Sequence, residues 1–344
     1  MSDDKPARTA NIFDVARLAG VSHQTVSRVL NNMPNVRPAT RARVEQAIAQ
    51  LRYSPSPAAR ALVTRRTRTI GLVQPGSVDY GPSSIAMNFN FAARAARYNV
   101  DAISSPENEV AAVRSAIDGL LKQRVDAIVL IVVDTEVLAA VQALELDIPL
   151  VAVAATSRPH PRLVAIDQYR AARSAVRHLR EAGYGPIRHI AGPARNPDAV
   201  ERLRGWKDEL AASRSEVIGV SHGDWSAASG HRIASEADIA PGEGILVAND
   251  HMAIGVLSAL RGRGLRVPDD VGVVGIDDVP EAAFLHPSLT TVRQDFAALG
   301  EILMQKVLLA VEEPDTISES TPLPTRLIVR DSAPIERPVT RSPR

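Results

Sequence analysis

Apolar residues recur at helical spacing in three short segments near the start of the chain. The segments begin at Ile12, Ser22 and Pro38, and Gly20-Val21 allows only a tight turn between the first two. Ser22 is a favourable N-cap and Pro38 a favourable first-turn residue. The spacing predicts which residues of each helix face the core. They are Ile12, Val15, Ala16 and Ala19 in the first helix, Val26, Val29 and Leu30 in the second, and Val44, Ala47, Ile48 and Leu51 in the third. The pattern predicts a small all-α head.

From Thr69 onward, short apolar runs alternate with amphipathic stretches. Strands spaced by helices are typical of βαβ units and parallel sheets. Because eight or more strands are more than a single sheet usually contains, the pattern predicts an α/β body of two doubly wound parallel-sheet lobes. The predicted strands are Ile70–Val73, Val100–Ile103, Ala127–Val133, Pro149–Ala154, Ile187–Ala191, Val217–Val220, Gly244–Ala248 and Val271–Ile276.

The charge of the chain divides between these two parts. All 344 residues together carry a net charge of only +1. Residues 1–68 hold 12 Lys and Arg against 4 Asp and Glu, a net of +8, whereas the remainder has 28 against 35, a net of −7. A basic head on an acidic body predicts an anionic polymer as the partner of the head alone.

Composition excludes several classes of protein. The chain has no cysteine, which rules out disulfide scaffolds, thiolate metal sites and cysteine nucleophiles. The polar, charged start is unlike a signal peptide, and the longest apolar runs fall well short of the roughly 20 residues of a membrane span. We therefore expect a soluble cytoplasmic protein with no membrane partner. No histidine spacing suggests a metal site, and we predict no cofactor.

The polar face of the second helix carries groups that suit DNA. Two helices joined by a tight turn in a basic region are typical of a helix-turn-helix motif. Gln24 can bond an adenine edge and Arg28 a guanine edge. Ser22, Thr25, Ser27 and Asn31 can contact phosphates. The alternative is a small helical bundle whose polar face is merely solvated.

The residue sequence of the head favours the helix-turn-helix motif over a solvated helical bundle. Asp14-Val15-Ala16, Ala19–Ser22 and Thr25–Asn31 closely resemble the head of the lactose-repressor (LacI/GalR) family of transcriptional regulators. The resemblance continues through Arg41–Tyr53 to Ala58–Leu62. In the family this last stretch is a DNA-contacting hinge helix, which implies DNA contacts for Ala59 and Leu62, with Leu62 wedged between base steps in the minor groove. The alternative for Leu62 is a linker residue packed on its own domain.

The body is also similar to this family, so the resemblance covers about residues 10–330. The motifs are Ala191-Gly192-Pro193, Arg202 with Gly205-Trp206, Gly223–Ala227, Val247–Asp250, Val274–Asp278 and Thr290–Phe296. The resemblance implies a fold like that of periplasmic sugar-binding proteins, with two lobes around a cleft. We predict a DNA-binding domain over 1–54, a hinge helix and linker over 55–68, a two-lobed effector-binding and dimerisation domain over 69–330, and a disordered Pro-rich tail over 331–344.

Residue chemistry supports a sugar cleft. Asn249 and Asp277 each follow the carboxyl end of a strand, where open parallel sheets bind ligands. Planar polar side chains match vicinal hydroxyls, and an aromatic face covers the C–H side of a sugar ring. Trp225 would stack on ligand; its alternative is an anchoring role in a loop. By the resemblance, the effector site comprises Pro82 and Ile85 on the N-terminal lobe with Arg202, Trp225, Asn249, Asp277, Gln294 and Phe296.

No catalytic group emerges from the sequence. Asp277 and Asp278 are paired carboxylates, but adjacent residues at a strand end point in different directions and make a poor acid–base pair. No Gly-x-Ser-x-Gly or Gly-x-Gly-x-x-Gly motif occurs. We predict that the chain is not an enzyme.

Three positions depart from the repressor that gives the family its name. His23 stands where that protein has tyrosine, which affects the preferred operator. Ile131 and Ala154 stand where it has polar effector contacts, and lost hydrogen-bond partners change specificity strongly. The tail from Asp331 has Pro334, Pro338 and Pro343 and no leucine heptad, so its tetramer-forming helix is not expected.

We therefore expect a sugar-responsive repressor that binds a palindromic operator as a homodimer. A β-galactoside or related β-glycoside would be the inducer. One alternative keeps the DNA role with a purine or phosphoprotein corepressor. Others are a sugar-binding protein without a regulatory role and, least supported, an enzyme of sugar metabolism.

Overall fold

The computed structural model describes residues 10–30, 33–53, 66–105, 109–156, 160–215, 217–313, 316 and 321–335. The chain divides into two compact units, residues 1–67 and residues 68–344. The predicted hinge lies mostly within residues 54–65, outside the described residues.

The first unit contains the three predicted helices, α1 (Ile12–Ala19), α2 (His23–Leu30) and α3 (Pro38–Gln50). The Asn11 side chain caps α1 and the Asp14 carboxylate accepts from the Asn11 backbone N–H at 3.0 Å, a complete capping box. Gly20 ends α1 in the left-handed conformation, with φ of 64°. Val15, Val26 and Val44, one from each helix, are fully buried and form the core. The predicted helical head is confirmed.

The second unit has two sheets. The first has the order β2-β1-β3-β4-β5 and is parallel throughout. In its register Ile70 lies opposite Val100 on one side and Ala127 on the other. Buried apolar side chains fill the central strands, as a sheet covered on both faces requires. The strands are β1 (Thr69–Pro75), β2 (Asn99–Ser105), β3 (Ala127–Ile131), β4 (Leu150–Val153) and β5 (Leu163–Val164).

The second sheet has the order β11-β10-β9-β8-β6-β7. It is parallel except for the edge strand β11, which runs antiparallel to β10. The strands are β6 (Ile187–Ala191), β7 (Val220–His222), β8 (Gly244–Val247), β9 (Gly272–Asp277), β10 (Thr290–Arg293) and β11 (Arg326–Ile328). Two doubly wound lobes, as predicted, are confirmed.

Helices cover both faces of each sheet. They are α4 (Tyr80–Ala95), α5 (Val110–Lys122), α6 (Thr135–Gln142), α7 (Gln168–Glu181), α8 (Pro197–Ala212), α9 (Ala227–Glu236), α10 (Asp250–Gly262) and α11 (Phe296–Glu312), with a 3-10 turn at Pro280–Phe284. The chain passes between the lobes three times. It leaves the first lobe after β5, returns after β10 so that α11 packs on α4, and leaves again to form β11. These crossings join the lobes on one side of a cleft.

Three strands were not predicted, and one was displaced. β5 has two residues and β11 three, too few for a periodic signal, and β10 lies within a polar sequence, Thr290–Arg293. The run Val217–Val220 was predicted as a strand, but pairing begins only at Val220, opposite His189. Val217 is exposed and Gly219 has a φ of 152°, which breaks the extended run.

The C-terminal segment corrects another prediction. Residues from Asp331 were expected to be disordered, yet Ser332 and Ala333 are completely buried. The Ser332 hydroxyl donates to the Val273 carbonyl at 2.6 Å and accepts from the Thr290 N–H at 2.8 Å. The folded body therefore extends at least to these residues. The prolines of this segment correctly indicated that regular secondary structure ends, but residues beyond that point still pack against the body.

Among the described residues, no helix combines the length and apolarity that a membrane crossing demands.

The close contact between α9 and α10 requires glycine at position 255. A Cβ on Gly255 would overlap the backbone carbonyl of Ala227 and the backbone of His231. We expect Gly255→Ala to lower the free energy of unfolding by about 2 kcal/mol or more, because backbone cannot yield as a side chain can. Urea unfolding measures this. Gly262→Ala on the same helix, where a Cβ meets nothing within 4 Å, should be neutral or stabilising by up to about 1 kcal/mol. Equal effects of the two substitutions would contradict this account.

Candidate functional site

A cleft of about 330 Å³ lies in the second unit where strands of both sheets end. Its walls come from the segments that follow the carboxyl ends of β1, β3, β4, β5, β6, β7, β8, β9 and β10. This is the edge at which open parallel sheets bind ligands. All eight predicted effector residues line it: Pro82, Ile85, Arg202, Trp225, Asn249, Asp277, Gln294 and Phe296. The structure thus brings together residues that are up to 214 positions apart in sequence.

Arg202 is the central cation of the cleft. Its side chain, which projects from α8, is almost completely buried. The guanidinium donates to Gln168 Oε1 at 2.9 Å and to the Ala248 carbonyl, and it lies 5.5 Å from the centroid of the Trp225 ring. A buried guanidinium requires such acceptors, because each unpaired N–H would cost desolvation energy.

A chain of amides links this cation to a buried acid. Gln168 Nε2 donates to Gln294 Oε1 at 2.7 Å, and Gln294 Nε2 donates to Asp277 Oδ1 at 2.5 Å. Each glutamine is buried, and each uses its amide in two directions. The result is a preorganised row of polar groups from four separate segments, which suits a ligand with several adjacent hydroxyls.

The side chain of Asn249 fixes the backbone of Trp225. Asn249 caps α10, where its Oδ1 accepts from the Met252 N–H at 3.0 Å. Its Nδ2 donates to the Trp225 carbonyl at 3.1 Å. Trp225 has a φ of 75°, an uncommon conformation for a bulky residue. A Cβ at Gly192 would overlap the indole, so this glycine is what allows the ring to lie against the end of β6.

The wall from the N-terminal lobe is mainly apolar. Pro82, Ile85, Ile131 and Ala154 line it, and the last two are the positions where the resemblance led us to expect polar contacts to be missing. Phe296 meets Tyr80 edge to face at a centroid distance of 5.8 Å. An apolar wall opposite a polar one matches the two faces of a pyranose ring.

The acids at the end of β9 have different environments. Burial raises the pKa of Asp277 to about 8, a shift that the positive charge of Arg202 opposes and the charge of Asp250 reinforces. Burial also raises the pKa of Asp250, to about 6. Asp278 instead forms ion pairs with Arg293 at 2.5 Å and Arg330 at 2.6 Å. The adjacent carboxylates therefore act separately, and they do not form an acid–base pair.

An ion pair joins the lobes beside the cleft. Arg195 Nε lies 2.9 Å from Asp134 Oδ2, and its Nη2 lies 2.7 Å from Glu136 Oε2. The Thr135 N–H donates to the Arg195 carbonyl at 2.9 Å, so backbone reinforces the link. Burial by itself would raise the pKa of Asp134, but the Arg195 guanidinium and the backbone hydrogen bonds together outweigh it and hold this pKa below its ordinary value.

Sequence reasoning missed several residues of the site. Tyr80, Gln168 and Asp198 line the cleft, as do both members of the Asp134–Arg195 pair. The available signal was the rule applied to Asn249: polar residues that closely follow a buried strand. It would have found Asp134 and Arg195. It would not have found Gln168, which belongs to a helix after a two-residue strand.

The head carries a second candidate site, on α2. Gln24 and Arg28 are exposed, and Thr25 and Ser27 are partly exposed. Ser22 is exposed, and its hydroxyl accepts from the Thr25 N–H at 3.2 Å, so it serves as the predicted N-cap. The ring of His23 lies 5.2 Å from that of Phe13. The predicted DNA contacts Asn31, Ala59 and Leu62 lie outside the described residues.

A small helix-turn-helix unit together with a two-lobed body that contains a cleft defines the class of ligand-binding transcriptional regulators. The chain belongs to the lacI family of bacterial regulatory proteins, whose model matches residues 11–56. Residues 176–333 match the periplasmic binding protein-like domain.

Similar proteins extend over nearly the whole chain. The lactose operon repressor of Escherichia coli K12 is 32% identical over 341 residues, which cover 98% of this chain and 94% of the relative. A solved structure described as the lac repressor dimer bound to operator and the anti-inducer ONPF superposes with a TM-score of 0.86, at 32% identity, covering 95% of this chain and 100% of that one. A structure described as a complex of the transcriptional regulator CelR with cellobiose gives 0.69 at 29% identity, covering 94% and 99%.

The raised pKa of Asp277 predicts a pH dependence of stability. Between its ordinary pKa of 3.8 and its folded value of about 8, the folded state binds more protons at this group than the unfolded state. The free energy of unfolding therefore falls as pH rises through this window. We expect Asp277→Asn to stabilise the protein increasingly with pH, with the gain at pH 8 exceeding that at pH 5 by at least about 1 kcal/mol. Urea unfolding at both pH values tests this. A gain that does not grow with pH would contradict the assignment.

Proposed function

We propose that the chain is a sugar-responsive transcriptional repressor that binds a palindromic operator as a homodimer. An inducing glycoside, a β-galactoside or a related β-glycoside, releases it from the DNA. The observation that carries this proposal is the convergence of Arg202, Trp225, Asn249, Asp277 and Gln294 in one cleft, opposite an apolar wall.

The size and lining of the cleft favour a small neutral ligand. A volume of about 330 Å³ is within the range of small-molecule sites and far too small for a protein surface. This argues against a phosphoprotein corepressor that acts at the cleft. Amide and carboxylate groups supply the hydrogen bonds that hydroxyls need, and Trp225 supplies an aromatic face.

The β-linkage is suggested by two relatives. One is named for the lactose operon, and another is described as a cellobiose complex. Both disaccharides are β-linked. Ile131 and Ala154 make the cleft less polar on one side, so the preferred sugar need not be that of either relative.

The DNA role rests on the exposed groups of α2 and on the net charge of +8 over residues 1–68. In a homodimer, two copies of α2 would enter successive major grooves of a palindrome. Inducer binding would favour an arrangement of the lobes that misaligns the two heads. Operator affinity would then fall by the coupling free energy, typically about 1–3 kcal/mol.

Titration of labelled operator with the full chain tests the proposal. We expect at least one of a panel of β-galactosides and β-glucosides, including lactose and cellobiose, to weaken operator binding about 5- to 150-fold. Fluorescence anisotropy gives the dissociation constant at each sugar concentration. Operator affinity that is indifferent to the entire panel would refute the sugar-response proposal.

Trp225→Ala separates the two binding activities. Because the indole lines the cleft and lies in the second unit, its loss should abolish the sugar response and leave sugar-free operator affinity unchanged. The same anisotropy titration measures both quantities. A variant that still releases the operator at wild-type sugar concentrations would show that Trp225 only anchors its loop.

Arg28→Ala tests base recognition by the head. We expect a loss of about 1–3 kcal/mol on the specific operator and a relaxed preference at one base pair, because Arg28 would bond a guanine edge. Binding to operators substituted at single positions measures this. Arg17→Ala, an exposed arginine on α1, is the matched control and should weaken all sequences alike. If Arg28→Ala also weakened all sequences alike, Arg28 would be a phosphate contact.

A further inference from the structure

The strongest observation that the proposed function leaves unused is the carboxylate of Asp198. This residue stands in the first turn of α8, and its side chain lines the cleft with 36% of its surface exposed. No motif of the sequence singled it out. It belongs to the C-terminal lobe but reaches the other lobe, because the Ala155 N–H donates to its Oδ1 at 3.3 Å.

The hydrogen bonds of Asp198 are few and long. Its Oδ2 accepts from Gln168 Nε2 at 3.2 Å and lies 3.9 Å from the Arg202 guanidinium. Two carboxylate oxygens offer about four acceptor sites, so these long contacts leave capacity for further donors. A ligand hydroxyl in the cleft is such a donor.

The position of Asp198 complements the apolar wall. Ala154 precedes Ala155, whose backbone N–H donates a hydrogen bond to Asp198. Ala154 and Ile131 bring no hydrogen-bonding side chain to this side of the cleft. Asp198 brings a carboxylate to the same place from the opposite lobe. The polar group that the N-terminal wall lacks is therefore supplied from α8.

The charges around the cleft oppose an anionic ligand. Of the two arginines that line it, Arg195 is paired with Asp134 and Glu136, and Arg202 already donates to Gln168 and Ala248. Five aspartates also line the cleft: Asp79, Asp134, Asp198, Asp224 and Asp277. Above the pKa of about 8 that burial gives Asp277, a carboxylate or phosphate group on the sugar would meet more negative than positive charge at short range.

We propose that Asp198 is a specificity-determining residue of the effector site. It accepts a hydroxyl of an uncharged sugar beside Ala154 and rejects sugars that carry a carboxylate or a phosphate. This inference rests on the proposed function, because it names the ligand class of the same cleft.

Isothermal titration calorimetry of the full chain without DNA tests the proposal at pH 8.5, above the pKa of about 8 that burial gives Asp277. The probes are methyl β-galactoside and methyl β-glucoside, the corresponding uronides and the corresponding 6-phosphates. We expect the preferred neutral glycoside to bind at least about 100-fold more tightly than its two anionic forms.

Asp198→Asn keeps the shape of the side chain and removes its charge. It should weaken the neutral glycoside about tenfold, because a charge-assisted hydrogen bond becomes a neutral one. It should also reduce the discrimination against the anions to about tenfold or less. Asp208→Asn, the same change on the same helix but away from the cleft, is the matched control and should leave both quantities at wild-type values.

The outcomes separate the two proposals. Unchanged affinity and discrimination in Asp198→Asn, or anionic sugars that bind the wild type as tightly as neutral ones, would overturn the role of Asp198. Sugars that bind with the expected pattern but do not release the operator would support Asp198 and refute the proposed regulation. No binding of any probe would overturn the role of Asp198, and the operator titration with the whole glycoside panel would then decide the proposed regulation.

Discussion

The cleft is organised around the buried guanidinium of Arg202. A cation held away from water needs acceptors on every side, and this requirement determines what surrounds it. Gln168, the Ala248 carbonyl and the Trp225 ring occupy its neighbourhood, and Gln168 continues the network to Gln294 and Asp277. The positive charge also opposes the burial that raises the pKa of Asp277 and of Asp198. Without Arg202, a cleft with this many carboxylates would be electrostatically unfavourable.

The lobes meet through contacts of two kinds. Covalent crossings occur after β5, after β10 and before β11, and they make the two sheets one unit. On the cleft side, Arg195 and Asp198 of one lobe meet Asp134 and the Ala155 N–H of the other. These polar links are individually weak, because Arg195 is more than half exposed and the Asp198 contact is long. Ligand contacts of similar strength can therefore compete with them, which suits a site that responds to small molecules.

Much of this could be predicted from the sequence, for reasons that differ between regions. The helices of the head follow from spacing and caps, because Val15, Val26 and Val44 can share one small core only if the turn at Gly20 is tight. The central strands follow from continuous apolar runs. The separate roles of Asp277 and Asp278 were predicted from their adjacency at a strand end, and Asp278 indeed pairs with Arg293 and Arg330. By contrast, β5 and β11 are too short to show the alternation of apolar and polar residues that predicts a strand. The sequence of residues 331–333 predicts a disordered tail, and only the tertiary structure shows that Ser332 is buried.

The sequence by itself determined the alternation of strands and helices, the division of charge and the resemblance that named eight cleft residues. Those features are local, since each depends on neighbours within a few positions or on a recognisable run of residues. Only the tertiary structure decided that Gln168 joins Arg202 to Gln294, and that Asp198 reaches Ala155 across the lobes. The reason is physical: hydrogen bonds between groups 34 to 126 residues apart depend on how helices pack on two sheets, and no local pattern encodes that geometry.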